Sequence, residues 1–113
     1  MSDFDDANNA IRDDIFSSLN NVEKKQGALQ DLQMDWDKFY DKFILEVEPA
    51  ESPPGGGRWN DKNRIAWCRG HAEGLYNDLQ DAKTAMSLAN AELKAAYARE
   101  RHLERTIRWL SLQ

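Results

Sequence analysis

The 113-residue chain is 41 % apolar and 31 % charged, too apolar for a disordered tail and too polar for a membrane protein. It holds one cysteine and two histidines, which excludes an internal disulfide and leaves no ligand cluster at zinc spacing. The net charge of −5 disfavours nonspecific binding to phosphate backbones.

The N-terminal "MSDFDDANNA" is acidic where a secretory signal carries positive charge ahead of an apolar stretch. No run approaches the roughly 18 apolar residues of a membrane span. A single cytoplasmic domain over residues 1–113, with no cofactor and no membrane contact, is expected. From there to residue 47 the spacing is helical: Ile15, Val22, Leu29, Trp36 and Phe43 recur every seven residues, and Phe4, Ile11, Leu32 and Phe39 form the partner row. Ser18, Lys25 and Glu46 interrupt that second row. A helix over 3–47 would reach roughly 67 Å at 1.5 Å per residue, with Gly27 costing about 1 kcal/mol relative to alanine as a possible bend. Within it, "DLQMDWDKFYDKF" sets Trp36, Phe39 and Phe43 toward the core and Asp31, Asp35, Asp37 and Asp41 outward. Such an acidic face is either solvated or a surface for a basic partner.

Residues 48–60 read as a turn. Pro49, Pro53 and Pro54 stop helix propagation, and Gly55, Gly56 and Gly57 permit backbone angles that other residues avoid. A phosphate-binding loop would need a preceding strand and a Lys-Ser/Thr pair after the last glycine, whereas Arg58-Trp59-Asn60 follows here. An antiparallel helix–helix connection is the simpler reading.

The second helix is expected over 61–112, capped by Asn60 or Asp61 and roughly 78 Å long. Its heptad seam runs through Ile65, Cys68, Ala72, Leu75, Leu79, Ala82, Met86, Ala89, Leu93, Ala96, Leu103, Ile107 and Leu110, with Glu100 as the one polar interruption. Charge supports a hairpin: residues 1–54 hold 13 Asp/Glu against 5 Lys/Arg, and residues 55–113 hold 7 against 10. Folding back sets Arg99, Arg101, Arg105 and Arg108 beside Asp3, Asp5, Asp6, Asp13 and Asp14, which orients the helices more than it stabilises them.

Apolar residues spill beyond the seam. Phe16, Leu19, Tyr40, Ile44 and Val47 widen the first stripe; Trp67, Tyr76, Ala85, Leu88, Ala95, Tyr97 and Trp109 widen the second. A two-helix hairpin leaves such surface in water, so self-association into a four-helix bundle is expected, with a homodimer the commonest symmetric form. The competing architecture is a compact monomeric bundle broken at Gly27 and at Gly70 or Gly74.

No constellation suits catalysis: His71 and His102 stand 31 residues apart without metal-ligand partners, and a non-enzymatic protein is expected. The more telling patch lies where the loop enters the second helix. Arg58, Trp59, Arg64, Trp67 and Arg69 are of the residue types that dominate binding hot spots, and Gly70 and Gly74 expose backbone beside His71. Trp67, Gly70, His71 and Gly74 are expected on a face away from the seam, open to a partner, to a dimer mate or to the folded-back loop.

In size, charge and helix–turn–helix plan the chain resembles the WXG100 class of small secreted helical-hairpin dimers, whose turn carries Trp-x-Gly. Arg58-Trp59-Asn60 lacks that glycine, and Tyr97-Ala-Arg-Glu-Arg101 lacks the acidic residue of their tail signal, so the resemblance extends to layout alone. Small acidic helical proteins of similar build serve phages and mobile elements as inhibitors of bacterial enzymes and defence complexes. The expected function is therefore binding another protein, to occlude or scaffold it. The alternatives are a nucleic-acid accessory protein using Arg99 to Arg108, and a structural assembly subunit.

Overall fold

A computed structural model of the chain describes residues 3–112. These residues form an all-α protein: α1 (Asp3–Lys42), a π-helical turn (Phe43–Val47), α2 (Asp61–His71) and α3 (Glu73–Ser111). Their contacts group into two compact units, one of residues 1–27 with 84–113 and the other of residues 28–83. In each unit a length of α1 packs against the returning helices, so the hairpin topology read from the turn and the charges is present in both.

The start of α1 is favoured by Asp3, Asp5 and Asp6 in its first turn, where carboxylates meet the positive end of the helix dipole. The helix continues unbroken through Gly27, which removes the compact bundle that required a break there. At its end the ladder widens before it stops. Glu48 N–H bonds Phe43 O at 2.9 Å, Ala50 and Glu51 both donate to Val47 O, and Pro49 brings no donor to extend the helix. The expected helix over 3–47 is thus an α-helix to Lys42 and a wider turn from Phe43.

The expected helix over 61–112 is two helices. Ala72 has left the helical region at φ −134°, ψ 49°, between Gly70 and Gly74, two poor helix formers set four apart. The interruption shifts the phase of the buried stripe. In α3 the seam follows the heptads: Leu79, Ala89 and Ala96 are buried and Leu75, Ala82, Met86, Leu93 and Leu103 half-buried. In α2 the inward residues are Arg64, Trp67 and Cys68, and Ile65, expected on the seam, is 45 % exposed. At the far end Ile107 and Leu110 are also exposed, although the heptad pattern places them inward.

The first unit has a lean core of Ile15 against Ala89 and Ala96, with Ile11, Val22, Met86, Leu93 and Leu103 half-buried around them. Alanine at the buried α3 positions permits close helix approach. Of the polar residues in the seam rows, Ser18, Lys25 and Glu100 are half-buried and Glu46 is exposed. The side chain of Phe4 lies outside the described residues. An interhelical ion pair of the expected kind joins Arg99 to Asp14 at 3.9 Å, exposed on both sides. The second unit is built on larger rings around Phe43, Cys68 and Leu79. No helix among the described residues is long and apolar enough to cross a membrane.

Candidate functional site

The chemistry-bearing residues gather at the loop end of the second unit, and the loop geometry brings them together. Gly55, Gly56 and Gly57 all adopt φ between 83° and 86°, a left-handed region that side chains resist. Three such residues in succession turn the chain back sharply after Pro53, which is itself buried and whose carbonyl accepts from Gly56 N–H at 3.0 Å. The returning chain is then fixed by a capping box. Asn63 N–H donates to Asn60 Oδ1 at 2.9 Å, and Asn60 N–H donates to Asn63 Oδ1 at 2.7 Å, satisfying two backbone donors at the start of α2 reciprocally. Asn63 Nδ2 also holds the carbonyl of Arg58 at 3.0 Å.

Trp59 closes the loop. Its indole Nε1 donates to Glu51 O at 2.9 Å and its ring meets Phe43 edge-on at 5.0 Å. Phe43 also contacts Trp67 at 4.8 Å, Phe39 stacks on Trp67 at 6.4 Å, and Trp36 contacts Phe39 and Tyr76 at 6.3 and 5.5 Å. Trp67 therefore points into the hairpin, not onto a face away from the seam, because the break at Ala72 turns α2 relative to the α3 heptads. His71 stays exposed and stacks on the outer side of this cluster, its ring centroid 3.7 Å from that of Trp67. Its Nδ1 lies 2.8 Å from Trp67 O; a carbonyl only accepts, so Nδ1 carries the hydrogen.

Arg64 is held as firmly. Nε and Nη2 both donate to Glu48 Oε1, at 3.1 and 2.7 Å, and Nη1 reaches Asp61 Oδ1 at 3.2 Å. The Glu48 hydrogen bonds raise the guanidinium pKa, with burial opposing them. Cys68, four residues on from Arg64 in α2, is fully buried, and burial pushes its thiol pKa up, which favours an inert thiol over a reactive thiolate.

The expected patch thus divides. Trp59, Arg64 and Trp67 are half-buried in the hairpin end, while Arg58, Arg69, Gly70, His71 and Gly74 remain on the surface. Arg69 lies over the Tyr76 ring, 4.9 Å from its centroid. Glu48 and Glu51 are partners that the sequence did not point to, and Tyr76 stood there only as a residue widening the apolar stripe. An opposite charge across a short loop from Arg64 was the available signal for Glu48; nothing local marked the Glu51 carbonyl. Asp31, Asp35, Asp37 and Asp41 are all exposed as expected, and Asp37 Oδ1 accepts from Gln33 Nε2 at 2.9 Å.

At the other end of the chain Arg101, His102, Arg105 and Arg108 are exposed along α3. His102 and Arg99 border a shallow recess floored by Ile11, Ala98, Leu103 and Thr106. Among the described residues no group of three or more His, Cys, Asp or Glu side chains is placed to hold a metal ion. Compared with protein-family models, with curated proteins and with solved structures, the chain matches none of them.

Proposed function

We propose that this protein is a non-enzymatic binding module that occludes or scaffolds another protein by laying open apolar helix faces against it. The observation that carries the reading lies in the first unit, where Phe16, Leu88 and Trp109 are 67 %, 59 % and 61 % exposed. One such residue on a surface is ordinary; large apolar side chains repeated along both helices of a small unit are characteristic of contact surface. Tryptophan in particular is a residue type that dominates binding energy. The proposal includes self-association of the hairpin into a four-helix bundle, which covers apolar faces by symmetry.

Photo-crosslinking tests it directly. A benzophenone amino acid at position 16, 88 or 109 should give discrete adducts in extracts of the native cells. The same group at exposed Lys24 or Arg101 should give none above background. Adducts equally frequent at all five positions, or at none, would overturn the reading.

A further inference from the structure

One side face of the second unit is left open by its own hairpin, and its charges are divided between its two edges. Two shallow recesses on this face share Ile65 and Tyr76: one continues to Lys62, Arg69 and Gly70, the other to Gln33, Trp36 and Lys83. Nothing stands within 4 Å of where a Cβ on Gly70 would project, so the helix surface there is clear for close approach. Ile65 remains 45 % exposed and Trp36 and Tyr76 half-buried, a combination of rings and branched carbon typical of interface anchors.

Charge divides this face lengthwise. On the α1 edge the Gln33–Asp37 hydrogen bond sets Asp37 beside the recess, and Asp41 follows one helical turn nearer the loop, both exposed. On the α2–α3 edge stand Lys62, Arg69 and Lys83, and Glu73 is the one carboxylate lining the two recesses. An acidic edge and a basic edge on one face are complementary to those of a second copy turned to exchange them.

We infer that a second copy of this chain docks on this face about a two-fold axis parallel to the helices. The α1 edge of each copy then lies over the α2–α3 edge of the other, and both loops stand at the same end. Asp37 and Asp41 approach Lys62, Arg69 and Lys83 of the partner subunit, and every helix runs antiparallel to its neighbours within and between copies, as in an up-and-down four-helix bundle. A two-fold perpendicular to the helices would lay α1 on α1 and set carboxylate against carboxylate, an arrangement that like charges oppose. The inference rests on the proposed function, both in treating open apolar faces as contact surface and in the self-association included there. It names the face and axis of that self-association, on the second unit, whereas the crosslinking positions lie in the first: adducts at those positions with a monomeric wild type would sink this inference and the self-association while leaving the binding of another protein standing.

The test uses the full chain and two charge-reversed variants, D37K/D41K and K62E/R69E/K83E, with helix content followed by circular dichroism. Sedimentation should show the wild type at twice 13.0 kDa at micromolar concentration, each variant dimerising at least tenfold more weakly, and their equimolar mixture returning to dimer. A monomeric wild type, a dimer indifferent to both reversals, or a mixture that stays monomeric would overturn the proposal. Independently of either variant, spin labels on S52C in the loop should lie closer than about 30 Å, half the length of α1. Labels farther apart than that would rule out the parallel axis.

Discussion

The two units solve the same packing problem with different materials. The first closes two helices over Ile15, Ala89 and Ala96, a thin seam that relies on close approach and leaves its larger side chains outside. The second closes two helical arms over interlocked rings, with Phe43 touching Tyr40, Trp59 and Trp67, and adds polar clasps at the loop. Small residues bring helices near but bury little; rings bury much and fix geometry. The contrast teaches that burial is concentrated in rings at the loop end, while the alanine-rich unit leaves Phe16, Leu88 and Trp109 exposed.

The sharpest way to break this contrast is Phe43→Ala. Phe43 is 1 % exposed and joins the loop, α1 and α2, so its loss should lower stability by about 3–5 kcal/mol, read from chemical denaturation. Ala96→Leu probes the thin seam from the other direction. With no room beside a fully buried alanine, the larger side chain should cost about 1–3 kcal/mol through overpacking. Replacing Asn60 by alanine removes one half of the capping box and should cost about 1 kcal/mol, separating the polar clasps from the rings. The smallest change is Gly27→Ala: the glycine lies within α1 and nothing stands within 4 Å of the new methyl. A gain of about 0.5–1 kcal/mol is expected.

A further measurement compares thiol access with folding. Burial raises the Cys68 pKa in the folded state, so this residue contributes stability that is present below its unfolded pKa and is lost as pH rises through the folded one. Labelling by a disulfide reagent at neutral pH should therefore proceed only as fast as the second unit opens, and should quicken in Phe43→Ala.

Much of the plan was legible because the heptads of α1 and α3 are regular, and because proline and consecutive glycines at 53–57 admit little but a reversal. The seam from Leu75 to Leu103 lies where spacing puts it. The loop end was read less well for a physical reason. At Ala72 a pair of helix-weakening glycines shifts the phase of α2, carrying Trp67 inward and Ile65 outward, and no local pattern states the size of that shift. Likewise the wider turn at Phe43–Val47 reflects what Phe43 and Glu48 meet across the loop: Trp59, Trp67 and Arg64. Residue type named Trp59 and Arg64 as important but not their partners, since a ring or guanidinium suited to a hot spot is equally suited to a clasp.

The Arg64–Glu48 clasp spans 16 residues and the indole bond from Trp59 only 8, whereas Asp14 and Arg99 are roughly five times farther apart along the chain. Closing the longer span in an extended coil costs about 1.5 kcal/mol more than closing the shorter, so the turn is the cheapest place for order to nucleate. Contacts already made there shorten the closure that those farther along the arms require.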